Sequence, residues 1–568
     1  MSMSDLQYVR VIDSRMDVNA TKNRMYGILA GAPYQTYQVL PSTSFSNSQI
    51  TWNAPPPSRD IYVNRKFYVR MRYRIDFTGV SAGPGIPLLQ AFGMNTAPGV
   101  PAGNQYYDAP RCDPNNQAMQ TVQVTLNNQS FSSNLNTYSR IYQRYHRDEF
   151  DEDSDLSLSP SMPDQSQDYG QLNLTAKDPL AGYGDNTAQI PRGSFAGCTI
   201  LSNTSTGVAD TASVIMEFTN PLPLSPMSFG NNQEEVAFIG LNMIQVQAQL
   251  GGRGSGILTG LAQSLWSHSP LGSVITVANA TVLGGDLLFN YLTPSNLQYL
   301  PPVVTYNYYE PTVYATTSMN PLAPGQTTDL QMSSVTLPTI PNRIYICVVP
   351  QDSSTNITDT DTYAALNRIN ITYANLDGIL SNATPQDLYQ MFVRNGMNIS
   401  YSQFRQTVGA VGCVQFGTDI PLKDQWAPGL RTSQTLQMTV NCTNIHPTKT
   451  FIPTLMIIAI QEGIVTIDNG SVSKNIGVLD ERTVLDSVDT VPIPHKPAKN
   501  IFGGTLAGGF WDDVATFAKR AGRAGINIAK SVAPAQFQPI VNEVSNLASS
   551  YGFGLRDMSR HRGGALLM

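Results

Sequence analysis

The run Arg65-Lys-Phe-Tyr-Val-Arg-Met-Arg-Tyr-Arg-Ile-Asp-Phe77 alternates without a break. Phe67, Val69, Met71, Tyr73, Ile75 and Phe77 point one way, and Lys66, Tyr68, Arg70, Arg72, Arg74 and Asp76 the other. A period of two places every second side chain on one face, so the run predicts a β-strand with one buried and one wet side. Ala54-Pro-Pro-Pro-Ser58, just ahead of it, is a stop that no central strand contains.

Shorter segments of the same kind recur along the chain. Strands are expected at Thr121–Asn127, Gly193–Leu201, Ala212–Phe218, Val236–Gln249 and Asp286–Leu292, then at Arg343–Pro350, Asn367–Tyr373, Thr435–Asn441 and Thr454–Ile460, the body strands ending near Ile467. Two helices are expected between strands. In Ser133–His146 the residues Leu135, Tyr138, Ile141, Tyr142 and Tyr145 form one apolar stripe. Pro385–Asn395 has Thr384 as its cap, Pro385 in the first turn and Gly396 as its stop. Many spaced strands with turn residues between them imply packed sheets, and 568 residues suffice for more than one core. Only 13% of residues are charged, against about 25% in ordinary soluble domains. Asn, Gln, Ser, Thr and Tyr, with 38 Pro and 44 Gly, fill the difference. Such a surface suits burial against neighbouring subunits, because interface cores are depleted of charge.

Pro221-Leu-Pro-Leu-Ser-Pro226 reads as a divider and Gly503-Gly-Thr-Leu-Ala-Gly-Gly509 as the joint to a tail. The expected organisation is an N-terminal arm over 1–33, a first sandwich over 34–226, a second sandwich with its extension over 227–498, and a tail over 499–568. From Lys499 onward eight basic residues face four acidic ones, so the tail is about +4 and the body about −10 of a total of −6. Phe510, Val514, Phe517, Ala521 and Ile528 line one side of a helix there, with Lys519, Arg520, Arg523 and Lys530 off the stripe. A basic amphipathic segment can meet a membrane surface, DNA phosphates or a protein groove, or dock on its own domain.

Sites of chemistry are not evident, and no catalytic, cofactor-binding or metal residue is singled out. His146, His268, His446, His495 and His561 lie too far apart for a zinc pair. Cys112, Cys198, Cys347, Cys413 and Cys442 make no CxxC and are read as free thiols. Gly251, Gly252, Gly254 and Gly256 lack the Lys-Ser/Thr of a phosphate loop and are read as a flexible turn. The acidic run Asp148–Asp155 offers oxygen ligands for Ca²⁺ but lacks EF-hand spacing, and a solvated loop explains it as well. The first residues lack the apolar segment of a secretory signal, and no run of about 20 apolar residues occurs.

Seven phrases, in order, resemble one family: Leu40-Pro-Ser-Thr-Ser-Phe-Ser46, Tyr142-Gln-Arg-Tyr-His146, Ile190-Pro-Arg-Gly-Ser-Phe195, Leu265-Trp-Ser-His-Ser269, Pro301-Pro-Val-Val-Thr-Tyr306, Ile340-Pro-Asn-Arg-Ile-Tyr345 and Gly378-Ile-Leu-Ser-Asn-Ala-Thr-Pro-Gln-Asp-Leu-Tyr389. The chain is similar, from about residue 35 to about 490, to the major capsid proteins of Sputnik-type virophages and polinton-like viruses. That resemblance implies an all-β chain of two tandem jelly-roll sandwiches with short helices. It also implies homotrimers of pseudo-hexameric outline tiling the icosahedral shell of a double-stranded DNA virus, and no enzymatic residues. The partners implied are further copies of the chain, penton and minor capsid proteins, and, for the tail, DNA or an inner membrane and a viral protease. The place implied is the virion, after synthesis in the host cytoplasm or virus factory. Two other classes share sandwiches and aromatics: a trimeric viral spike or carbohydrate-binding β-protein, and a β-sandwich glycoside hydrolase with paired carboxylates.

Overall fold

The structure is a computed structural model that describes residues 35–56, 61–89, 108–146, 197–227, 237–252, 257–268, 273–292, 303–351, 356–359, 361–423, 426–446, 449–468 and 470–477. The arm over 1–33, the acidic run at 148–155 and the tail over 499–568 lie outside the described residues.

The first sandwich contains β1 (Gln35–Pro41), β2 (Ser44–Phe45), β3 (Gln49–Asn53), β4 (Tyr62–Val63), β5 (Tyr68–Val80), β6 (Asp108–Pro110), β7 (Met119–Leu126), β8 (Gln129–Ser133), β9 (Cys198–Asn203), β10 (Asp210–Pro221), β11 (Ile244–Leu250), β12 (Trp266–His268) and β13 (Val274–Leu292). One sheet runs β1-β13-β5-β10-β9 and the other β2-β3-β11-β7-β8. The second sandwich contains β14 (Val303–Thr317), β15 (Thr327–Leu337), β16 (Arg343–Pro350), β17 (Ala365–Tyr373), β18 (Leu376–Ile379), β19 (Val411–Gln415), β20 (Gln434–Thr443), β21 (Pro453–Asp468) and β22 (Ser471–Ile476). Its sheets run β14-β21-β16-β19 and β15-β20-β17-β18, with β22 added beside β21.

When the eight main strands of each sandwich are ranked in chain order, both halves have one sheet of order 1-8-3-6 and one of order 2-7-4-5. That order is the eight-stranded jelly roll, so the fold is a double jelly roll. The expected division at 226 is corrected. β11 pairs with β3 and β7, and β13 pairs with β1 and β5, so the first sandwich closes at Leu292. The prolines from Pro221 to Pro226 end β10 within the first sandwich instead of separating the two.

Alternation in β5 is borne out: Val69, Met71 and Tyr73 are buried, as are Leu455, Ile457 and Ala459 in β21. Other boundaries move for local reasons. Only Ile244–Leu250 of the expected strand Val236–Gln249 is a strand, and Phe238 contributes a single bridge to Val63. The strand expected at Asp286–Leu292 starts twelve residues earlier, at Val274, and Gly284 at φ +129 carries a β-bulge within it. β14 was not anticipated; it contains Pro311 and lies at a sheet edge, where a missing N–H is tolerated. β22 extends the body past Ile467.

Among the described residues four α-helices lie in the connections: α1 (Pro114–Ala118), α2 (Leu135–His146), α3 (Ile257–Leu265) and α4 (Pro385–Arg394). In α4 Thr384 is the cap, as expected: its hydroxyl accepts from the Asp387 N–H, while the Asp387 carboxylate accepts from the Thr384 N–H, a reciprocal pair. Of the turn expected at Gly251, Gly252, Gly254 and Gly256, the last two glycines lie outside the described residues, and Gly252 is closely packed. A Cβ on Gly252 would lie 1.9 Å from the carbonyl oxygen of Gly260, so this glycine lets α3 pack against the end of β11.

Candidate functional site

Among the described residues no group of three or more His, Cys, Asp or Glu side chains could hold a metal ion. No described helix is long and apolar enough to cross a membrane. None of the five cysteines is in a disulfide; four are buried and Cys198 partly so. Burial pushes the Cys413 and Cys442 thiols up to about 12, which keeps them unreactive.

Polar chemistry is concentrated where the two sandwiches meet. At one end the connection after β5 brings Arg111 against the connection after β16. Arg111 is 1% exposed. Its Nη1 donates to the Asp361 carboxylate at 3.2 Å, its Nη2 to the Asp359 carbonyl at 2.7 Å and its Nε to the Trp266 carbonyl at 3.2 Å. Gln117 on α1 donates to the other Asp361 oxygen at 3.3 Å. The backbone N–H of His268 donates across the joint to the Ile357 carbonyl at 3.0 Å. Lys449 pairs with Asp359 beside this set. The fork of Arg111 meets carbonyls and a carboxylate at once, which a lysine cannot reproduce.

Next to Arg111, Asp108 accepts from Trp266 Nε1 and faces His268 Nδ1, both at 3.0 Å, and the other ring nitrogen of His268 faces the Ser273 carbonyl. Both ring nitrogens therefore meet acceptors, and only the imidazolium satisfies both. Burial opposes that charge, but the Asp108 carboxylate and the Ser273 carbonyl outweigh it, and the His268 pKa is raised above 6.5. His446 behaves oppositely: burial draws it down to about 4.

These shifts give a pH prediction. A histidine raised in the folded state contributes stability that is complete below its unfolded value of 6.5 and is lost as pH rises through the folded value. A histidine lowered to about 4 makes stability fall as pH drops from 6.5 toward 4, because the unfolded chain takes up the proton first. Relative to the parent, His268→Asn should therefore be most destabilised below pH 6.5, and the difference should shrink as pH rises above that value. Urea unfolding at several pH values reads this; a pH-independent difference would contradict the imidazolium.

A second contact joins the opposite turns of the first sandwich to β14 and β22. Arg65 donates to the Pro226 carbonyl at 2.7 Å and stacks on Phe238 and Tyr306 at 5.6 and 5.4 Å. Tyr306 Oη donates to the Ala237 carbonyl at 2.9 Å. Asn128 exchanges two hydrogen bonds with the Val472 backbone, and Asn127 donates to Gly470. A third contact lays the end of α2 on the outer face of β16 and β19. Tyr145 donates to the Val411 carbonyl at 2.7 Å and packs against Tyr345 at 5.1 Å, while Arg144 stacks on Tyr363 at 5.2 Å.

None of these joint residues was singled out for a role in the sequence. The signal was nonetheless present: four of the seven family phrases supply Arg144 and Tyr145, Trp266 and His268, Tyr306, and Tyr345.

Comparison with known proteins agrees with this geometry. The family model described as the Sputnik virophage major capsid protein 1st domain matches residues 4–292, which is also where the first sandwich ends. The model described as the major capsid protein V20 C-terminal domain matches residues 311–463. The chain is 26% identical to capsid protein V20 of Sputnik virophage, over 99% of this chain and 96% of that one. The 3.5 Å cryo-EM structure of the Sputnik virophage aligns with TM-score 0.69 and 26% identity, covering 83% of this chain and 94% of that one. The mavirus major capsid protein aligns with TM-score 0.61 at 14% identity, covering 81% and 92%, which is a likeness of fold.

Proposed function

This chain belongs to the family of the Sputnik virophage major capsid protein, and from that premise we propose that three copies close into a pseudo-hexagonal block that tiles an icosahedral shell around double-stranded DNA. The chain is a capsid shell subunit, a structural protein and not an enzyme, and its place is the virion. The observation that carries the trimer is the repeated strand order: two jelly rolls of one topology, fused by buried contacts, make each chain a block with two like lobes. Three such blocks present six like lobes, and closed cyclic assembly is the common solution for repeated heterologous contacts. Low charge favours burial of the lobe flanks.

The same reading assigns synthesis to the host cytoplasm or virus factory, and lateral contacts to penton and minor capsid proteins. The basic amphipathic tail after Lys499 is assigned to DNA, an inner membrane or a minor protein, with trimming by a viral protease near its glycines. Light scattering of the purified protein should give three chain masses at micromolar concentration under several salt conditions, and a monomer would contradict the proposal. A chain truncated after Lys499 should keep the trimer and its melting temperature while losing shell assembly; a truncated chain that no longer trimerises would place the tail within the folded block.

A further inference from the structure

The two lobes share a topology but not an environment. In the second sandwich the outer face of the third and sixth main strands is buried: Tyr345, Cys347, Val411 and Cys413 are at most 1% exposed. These side chains lie opposite Ile344 and Ile346, which face the core. Their cover includes the end of α2, the helix between the fifth and sixth strands of the other lobe. In the first sandwich the equivalent face of β5 and β10 is open. Arg70, Arg72 and Arg74 have side chains 37%, 57% and 44% exposed, and Tyr37, Val39 and Tyr68 extend the surface toward the sheet edge. Arg70 and Arg72 are neutralised by Asp286 and Glu217, and Arg74 by Asp76, so the face carries no strong net charge.

A candidate to cover it exists in the second lobe. α4 occupies the position that α2 has in the first: each helix follows its lobe's fifth strand and packs on the fourth, α2 on β7 and α4 on β17. Around α4 lie exposed groups of the kind used inside the joint. Arg394 is 63% exposed and Tyr401 is 37% exposed, with Tyr389 and Phe404 beside Tyr401. Arginine stacked on an aromatic ring already joins the lobes twice, Arg65 on Tyr306 and Arg144 on Tyr363. Within one chain the first lobe's helix finds the second lobe's sheet, whereas the second lobe's helix has no further lobe to meet.

We propose that the open face of β5 and β10, centred on Arg72, receives the segment 380–406 of the second sandwich of another copy, repeating between chains the contact that α2 makes within one. The inference rests on the trimer reading and specifies which surfaces meet in it. Repeating one heterologous contact from lobe to lobe closes the ring without a new kind of interface.

The test places a benzophenone-maleimide probe at Arg72→Cys in a Cys198→Ser background, using the full chain, with the oligomeric state measured by light scattering on the same sample. Trimers mixed from isotopically light and heavy chains identify links between copies. Mass spectrometry should recover a link from position 72 to a peptide within 380–406 of a different copy. The same probe at Gln123→Cys, on the outer face of the other sheet, should give no such link. Trimers in which position 72 links to other peptides, to none, or no more selectively than position 123 would overturn the inference and leave the trimer standing. Monomers on light scattering would overturn the trimer reading and this inference with it. Independently, Tyr401→Asp should raise the concentration at which trimers dissociate by about tenfold or more, as expected for loss of one interface anchor; unchanged dissociation would count against the contact.

Discussion

Arg111→Ala should destabilise the chain by about 3–5 kcal/mol, because it removes one member of a buried ion pair and leaves the other desolvated. Asp361 keeps its contact with Gln117 but loses the guanidinium 3.2 Å away, and the carbonyls of Trp266 and Asp359 lose a donor. The change falls between the lobes, so it should also loosen the block that the shell needs. Arg111→Lys should recover part of the loss, since it restores charge without the planar fork. Arg368→Ala serves as control: its partner Asp329 lies at 3.8 Å with both side chains more than half exposed, and such pairs contribute about 0–1 kcal/mol. Urea unfolding of the three variants measures the ranking. An Arg111→Ala chain as stable as Arg368→Ala would mean that the joint does not depend on this group.

Val69→Asp should give insoluble protein. Val69 is buried near the start of β5, between Leu287 of β13 and Asn220 of β10 in the sheet register. A carboxylate there is either unpaired in an apolar interior, at about several kcal/mol, or protonated with its pKa far above the usual range. Arg72→Gln, three residues along on the opposite face, should stay soluble and folded. Expression and sedimentation of the two variants decide it. A soluble, assembling Val69→Asp chain would require the strand to slip by one residue, which exchanges the two faces of β5.

The contrast between β5 and β16 explains how much of the fold could be read in the sequence. β5 has one wet face, so its alternation is unbroken and its register could be assigned from residues alone. All eight residues of β16 are buried. Arg343-Ile-Tyr-Ile-Cys-Val-Val-Pro350 was recognisable as a strand, but not which face met the core, because α2 from the other lobe covers what would otherwise be solvent-facing. The lobe boundary was misplaced because proline clusters mark turns inside a jelly roll as readily as between two, and because β13 pairs with residues 194 to 257 positions earlier. The joint was the least legible part. Arg111 and Asp361 are 250 residues apart, and nothing local to either marks the other. Family resemblance reached what periodicity could not: Leu265–Ser269 and Ile340–Tyr345 have unremarkable patterns, yet they carry Trp266, His268 and Tyr345 into the contacts that fuse the lobes.

Electron microscopy of the purified, concentrated protein tests the central claim most directly. A shell subunit of this family should form hexagonally ordered sheets or closed shells built from three-chain units. Dispersed particles that show no ordered lateral contact at any concentration would contradict it, and would favour a spike or a carbohydrate-binding protein on the same fold.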